Sequence, residues 1–508
     1  MNSIVSAEPS RHPDHLAAVD MGSNSFRLEI GQLSRGRYKR VEYIKETVRL
    51  GAGLDEQSLL TEEAVLRGLA CLKRFSQRLA GYPSLQVRAV ATQTLREARN
   101  RDAFLARAQP VLGYPIEVIS GREEARLIFA GVARLQPSEE PRLVVDIGGR
   151  STEMILGRGR IPLRAESFQV GSVSLSMRYF ADGRFSDTAF RAAQVAAGAE
   201  LEEALSPFAA KHWREALGSS GTAGAISQVL LASGISDGTI TPEGLRWCMD
   251  QCLKAGRVDK LGLPGLRDDR RAVVGGGLSI LYTLATHFGI DALLPARGAL
   301  RQGVIFDLDE RLNADAQESS GASSHDIRHA SIAELQRRFE IDTTQAARVT
   351  AVADALHASV APNNPSLAHE LRWACALHEI GMMISHHDHH RHSAYVVGHA
   401  DAAGFSQSQQ RRLADLVLAQ RGGLRKVDAL LSQETFAWQV LCLRLAIIKC
   451  HARGQVDTTA LTLQRHGAQA ILSFPPYWAD AHPRTAFLLQ EEANAWDRSG
   501  ALKLLIKG

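Results

Sequence analysis

The sequence predicts an α/β protein of two related lobes followed by a helical C-terminal domain. Three observations lead there. An apolar strand runs into Asp-x-Gly and small polar residues twice, in "AAVDMGSNSF" at 17–26 and in "VVDIGGRSTE" at 144–153. Each copy opens a stretch where strand-like and helix-like periodicities alternate. Beyond a polar, small-residue segment at 311–325, "RLNADAQESSGASSH", the pattern is helical almost throughout.

The elements follow in order. Residues 16–20, 26–33 and 38–45 read as strands joined by tight turns, and 61–80 as a helix with apolar residues three and four apart. A strand at 86–91, a helix near 100–109 and a strand at 115–119 complete the first lobe. The second restarts at "RLVVDIGG", with a strand at 153–157, further segments near 161–169 and helices around 186–206 and 241–256. "AVVGGGLSILYTLATHFG" reads as strand, glycine turn and helix, and 311–325 suits a linker. Helical periodicity then recurs in 331–339, 345–359, 367–381, 407–420 and 436–452. The expected domains are 1–125, 126–310 and 311–508.

Composition narrows the function classes. At 508 residues the chain exceeds one compact core. Its 45% hydrophobic and 22% charged residues are those of a soluble globular protein, and a net charge of +4 is too small to indicate a nucleic-acid partner. No run approaches the ~20 apolar residues of a membrane helix. The start, "MNSIVSAEPSRHPDH", lacks a signal peptide's apolar run. A cytoplasmic protein with no integral membrane segment is expected. Cys71, Cys248, Cys252, Cys375, Cys442 and Cys450 show neither disulfide nor zinc spacing and read as buried free thiols.

A strand that ends in Asp-x-Gly and reverses tightly aims several backbone N–H groups at one point, and such a concavity binds phosphate oxygens. Gly22, Ser23, Asn24 and Ser25 form the first candidate cradle. Gly148, Gly149, Arg150, Ser151 and Thr152 form the second. The carboxylates of Asp20, Asp146 and Glu153 make sense beside phosphate if Mg²⁺ stands between them, an ion that uses one or two carboxylates. One such turn is weak evidence. Two, each opening an α/β lobe, match the actin-like (ribonuclease H-like) superfold of sugar kinases and heat-shock ATPases, where two hairpins clamp a phosphate chain between lobes.

With "ATQTLREARN", "VISGREEARLIFAGV", "GSSGTAGAI" and "LHEIGMMISHHDHHRHSAYVV", the two turns resemble, in order and over nearly the whole chain, the exopolyphosphatase and guanosine pentaphosphate phosphohydrolase family. The resemblance implies hydrolysis of a terminal phosphoanhydride with Mg²⁺, a monovalent cation such as K⁺ as a second ion, and a homodimer. It places Arg96 on phosphate, with Arg270 as a second phosphate arginine beside the rival Arg271. It also puts Ser220, Gly221 and Thr222 of "GSSGT" against the site.

Local physics separates the two acids of "ISGREEARLIFAGV". Ser120 and Glu123 have capping-box spacing, which turns Glu123 back on the helix start. Glu124 lies three and four residues before Leu127 and Ile128, on the inward stripe. The resemblance gives the second glutamate the role of water-activating base, and partial burial would raise its pKa toward neutrality.

Arg150 departs from the small residue usual in the family. An arginine there requires a turn open to any L-residue, and its side chain either reaches a phosphate farther along the cleft or stands in solvent. In the C-terminal domain Glu379 holds the aspartate place of a His-Asp metal-hydrolase doublet, with His386, His387, His389, His390, His392 and His399 nearby. The reading adopted is an HD-like domain whose metal site has degenerated and is kept for packing and for holding a polyanion, over a second working metal site. The sequence reading puts an exopolyphosphatase first and guanosine pentaphosphate hydrolysis second. Outside the family stand a kinase of the same superfold and a non-hydrolytic sensor of alarmones or polyphosphate. A base at Glu124 argues against both.

Overall fold

The computed structural model describes residues 14–507 except Arg35, 320–325, 362–364, Val456 and Thr459. Most of the N-terminal segment and the end of the expected linker lie outside the described residues. The chain divides into two compact units, with the boundary between Asp326 and Ile327.

The first unit holds two five-stranded sheets of one design. In the first, β1 (His15–Met21), β2 (Ser25–Ser34), β3 (Arg37–Thr47), β4 (Val87–Ala91) and β5 (Ile116–Val118) lie in the order β3-β2-β1-β4-β5. In the second, β6 (Arg142–Ile147), β7 (Thr152–Arg158), β8 (Ile161–Phe168), β9 (Glu215–Ser219) and β10 (Leu293–Pro295) lie in the order β8-β7-β6-β9-β10. Each is an antiparallel meander of three strands extended by two parallel ones. The repeat of the turns is therefore a repeat of whole sheets.

Strand alternation decides where the acids face. Ala17, Val19 and Met21 enter the outer core of lobe I, whereas Leu16 and Ala18 join a core shared by the two lobes. Leu143, Val145 and Ile147 likewise face outward, and Val144 joins the shared core. Asp20 and Asp146 share parity with the inner residues and so point between the lobes.

That shared core is filled by two helices. Four helices of this region are α1 (Glu62–Arg78), α2 (Gln93–Glu97), α3 (Arg101–Leu112) and α4 (Gly121–Leu135). Leu127, Ile128 and Val132 of α4 pack with Val304, Ile305 and Leu308 of the helix Leu300–Ser319. Glycines bring the two backbones together. A Cβ at Gly303 would stand 1.7 Å from Leu127 O, and one at Gly131 would stand 2.3 Å from Ala299 O. The first turn of α4 is thereby fixed at the cleft floor, with Ser120 Oγ accepting from Glu123 N at 3.1 Å.

Three expectations need correction. Residues 311–319 continue the helix from Leu300. Arg311 Nε donates to Asp307 at 2.6 Å one turn back, and Ala314 is buried, so polar composition there marks a helix face and not a linker. Gly275, Gly276 and Gly277 lie inside the helix Val274–Phe288. Their bare faces admit Phe180, Ser172 and Thr222, with added Cβ atoms falling 2.9, 2.4 and 2.7 Å from those neighbours. These glycines serve close packing within a helix and form no turn.

The third concerns the second unit, where the sequence suggested helices alone. Around a core containing Trp438 and Trp496, helices including Thr343–Val360, Gln407–Ala419, Glu434–Lys449 and Pro483–Ser499 are joined by a three-stranded sheet. Its strands, Thr462–His466, Gln469–Ser473 and Lys503–Lys507, have five residues each, too few to display a period.

Candidate active site

A cleft of about 680 Å³ lies between the lobes, lined by both turns, Glu124 and a set of basic side chains. At Gly22 an added Cβ would meet Ser25 O at 3.2 Å, and at Gly148 it would meet Ser151 O at 3.1 Å, so the two turns match in atomic detail. None of the turn residues, Arg150 included, adopts a positive φ. Ser23, Asn24, Ser25, Gly149 and Ser151 all line the cleft. The buried Ser25 hydroxyl has no hydrogen-bond partner, which leaves it available to a phosphate oxygen.

Glu124 lines this cleft while only 8% exposed. Burial pushes its pKa up to about 7, helped by Asp146 and Asp20 and opposed by Arg96. Arg96 Nη1 donates to Glu124 Oε2 at 2.8 Å and to Ile119 O at 3.0 Å. The Glu123 carboxylate, by contrast, is buried against Arg126, whose Nε donates to it at 2.7 Å. The two adjacent acids thus divide into one structural ion pair and one cleft carboxylate.

Asp146 also lines the cleft, and burial raises its pKa against the opposing influence of the neighbouring Ser219 and Ser220 hydroxyls. Asp20 Oδ2 accepts from Arg27 at 3.0 Å and from Arg301 at 3.4 Å. Glu153 pairs opposite Asp146 across β6 and β7 but is 1% exposed and lies behind the cleft wall. Burial and the nearby Glu124 and Asp146 charges hold its pKa well up, and Ser167 Oγ donates to it at 2.8 Å.

Other expected donors are already committed. Thr152 Oγ1 donates to Val170 O at 2.6 Å from a fully buried position, so it faces away from the cradle. Ser220 Oγ and Thr222 Oγ1 both donate to Ile147 O at 2.9 Å, which ties the "GSSGT" helix start to the second turn. Arg270 is the cleft arginine of its pair. It lies over Gly221, where a Cβ would stand 1.9 Å from its Nη2, while Arg271 pairs with Asp268 at 2.9 Å. Arg150 takes neither path expected for it. Its side chain crosses to lobe I, where Nε donates to Glu97 at 3.0 Å and Nη1 to Gly51 O at 3.3 Å.

Sequence reasoning missed the basic wall of the cleft: Arg27, Arg40, Lys45, Arg267 and Arg301, with Tyr43. Lys45 Nζ donates across the lobes to Asp269 at 2.9 Å. One signal was available for Arg27. It stands seven residues after Asp20, as Glu153 stands seven after Asp146, and each pair is directly opposed across its hairpin. The pseudosymmetric position holds a cation in lobe I and an acid in lobe II.

In the second unit His378 is buried, its pKa pushed down to about 4, and Arg453 pairs with Glu379. Among the described residues no three histidine, cysteine or acidic side chains converge on a metal position. No described helix is long and apolar enough to cross a membrane, and all six cysteines are free and buried.

Comparison with known proteins places this geometry. Residues 30–312 match the Ppx/GppA phosphatase family, and residues 327–493 match domain III of that family. The chain is 35% identical over 482 residues to the guanosine-5'-triphosphate,3'-diphosphate pyrophosphatase of Photobacterium profundum, covering 94% of this chain and 95% of that one. An exopolyphosphatase-like protein of known structure superposes with a TM-score of 0.53 at 27% identity, over 59% of this chain and 99% of that one. An exopolyphosphatase from Cytophaga hutchinsonii shares the fold with a TM-score of 0.53 at 24% identity, over 58% of this chain and 98% of that one. Two actin-like lobes, a helical third domain and matches along both units have one reading: the chain belongs to the Ppx/GppA phosphatase family.

Proposed function

We propose that the chain removes the terminal 5'-phosphate of guanosine 5'-triphosphate 3'-diphosphate, leaving the tetraphosphate. The observation that carries this reading is the 35% identity, across 94% of the chain, to a relative named for that substrate. Inorganic polyphosphate, which the sequence reading put first, is the second reading, supported by the exopolyphosphatase-like structural relative at 27% identity. The same chemistry serves both substrates.

The two turns cradle the terminal phosphates with backbone N–H groups, and Ser25 adds a free hydroxyl. Arg27, Arg270 and Arg301 receive the charge farther along the cleft. Glu124 accepts a proton from a water aligned with the terminal phosphorus; the new P–O bond forms as the bridging P–O bond breaks, and orthophosphate departs. Arg96 keeps Glu124 oriented and offsets charge spreading over the phosphoryl oxygens.

Two carboxylates that line the cleft beside the phosphate cradles, Asp146 and Asp20, suit a divalent cation. Magnesium needs only one or two carboxylates beside phosphate oxygens and waters. Asp146 would be its first ligand, with Asp20 beside it and Glu153 supporting from behind. When bound, it would supply neutralisation of the phosphate oxygens.

Phosphate release measured with guanosine pentaphosphate and with long polyphosphate, each with and without Mg²⁺, tests the reading. A higher kcat/KM for the pentaphosphate, lost in Glu124→Gln, is the expected result. A higher kcat/KM for polyphosphate overturns the substrate assignment, and binding of both without hydrolysis overturns the catalytic one.

A further inference from the structure

Arg150 has no part in the phosphate cradle, yet its contacts lead back to the base. Glu97, at the end of α2 in lobe I, receives Arg150 Nε at 3.0 Å and Nη2 at 2.5 Å on one carboxylate oxygen. Its other oxygen accepts from Gln93 Nε2 at 2.6 Å. Gln93 Oε1 in turn accepts from Arg96 Nε at 3.0 Å and Nη2 at 2.6 Å. Arg96 Nη1 reaches Glu124 at 2.8 Å. Arg150 also grips Gly51 O, and Gly51 N donates to Ser23 O at 2.8 Å in the first turn.

The direction of this relay follows from donor and acceptor chemistry. An ionised carboxylate only accepts, so Gln93 must present its amide nitrogen to Glu97. That leaves its carbonyl oxygen for Arg96, which only donates. If Glu97 is lost, the amide is free to turn and offer N–H to a guanidinium. Glu97 in turn is held by a cation that belongs to the opposite lobe.

We propose that Arg150 and Glu97 are positioning residues: through them the second turn, when the lobes are closed, orients the Gln93 amide and so fixes Arg96 against Glu124. Arg96 is thus correctly presented only when the Arg150 turn sits against lobe I, which couples closure of the cleft to readiness of the base. The inference rests on the hydrolase reading above and adds what closure does to it. Both side chains are 23% exposed, so their replacement leaves the cores intact.

The test compares wild type, Arg150→Ala, Glu97→Ala and the exchanged pair E97R/R150E, with guanosine pentaphosphate as probe. Each single variant is expected to lose about tenfold in kcat, with KM within twofold, because phosphate contacts remain while the base is misoriented. The exchanged pair restores the bridge between lobes but presents only donors to Gln93, so its carbonyl is contested between two guanidinium groups and is no longer fixed on Arg96. It is expected to stay as slow as the single variants. Recovery of kcat in the exchanged pair, or single variants within twofold of wild type, overturns the relay and leaves a simple latch.

A second readout needs no turnover. Solvent exchange of the Arg96 Nε–H, assigned by its absence in Arg96→Lys, is expected to accelerate at least about tenfold in both single variants, as the Gln93 carbonyl is no longer held toward it. Unchanged exchange overturns the proposal. Accelerated exchange in a protein that hydrolyses neither substrate defeats the proposed function and leaves this positioning chain standing.

Discussion

Replacing Arg96 by methionine should move the acidic limb of the pH–rate profile upward. Glu124 must be ionised to accept a proton from water, so kcat/KM rises with pH through its pKa and is flat above it. In the wild type that limb is expected near pH 7, where burial brings the carboxyl to about 7 against the opposing pull of Arg96. The bond removed is charge-assisted, 2.8 Å long and almost shielded from water. Such a bond is worth ~1.5–3 kcal/mol to the ionised form, or ~1–2 pK units. The variant's limb is therefore expected at pH ~8–9. At pH 7 this ionisation effect alone lowers kcat/KM by roughly 5–50-fold, most of it regained by raising the pH. Under the proposed mechanism the plateau also drops with the loss of the Arg96 charge, so the limb and not the plateau is diagnostic. The assay is phosphate release from guanosine pentaphosphate between pH 5.5 and 9.5, with Arg96→Lys expected in between. A methionine variant whose limb stays put or moves down would refute the electrostatic argument.

Glu124→Gln should stabilise the unliganded protein at high pH. A carboxyl whose folded pKa is raised, here from 4.5 to about 7, costs stability progressively as pH climbs through that window. The gain in urea unfolding free energy should be about 1–3 kcal/mol at pH 8 and near zero at pH 4; an equal gain at both would show the effect is not ionisation. Gly221→Ala places a methyl where the Arg270 guanidinium lies and should raise KM several-fold with kcat nearly kept; an unchanged KM removes Arg270 from substrate binding. In the second unit Arg444 donates to Glu492 at 2.6 and 2.7 Å with both groups buried. Arg444→Met should cost about 3–5 kcal/mol of that unit's unfolding free energy. R444M/E492L should recover much of the loss, and failure to recover would mean that packing rather than an orphaned charge is responsible.

The two-lobed plan is legible in the residues alone, because Asp-x-Gly after an apolar strand is a local device and its repetition is visible without any long-range contact. The sequence also set Glu124 on the inward stripe of α4, since helix periodicity acts within one turn. The capping box expected of Glu123 forms only in half: Ser120 Oγ accepts from Glu123 N while the Glu123 carboxylate turns to Arg126. Other errors were local patterns reused for another purpose. The run Gly275–Gly277 has the composition of a turn but serves helix packing against Phe180 and Ser172, residues about a hundred positions away. The polar stretch at 311–319 has the composition of a linker but is held helical by Asp307 and Arg311.

What tertiary structure alone decided is the pairing of charges across the cleft. Arg27 and Arg301 meet at Asp20 from positions 27 and 301, and Lys45 meets Asp269 from the opposite lobe. Arg150 finds Glu97 across the same gap, although its own turn suggested phosphate or solvent. A long, flexible arginine carries almost no sequence signal about its destination. Its partner is chosen by which acceptors the closed lobes bring within reach.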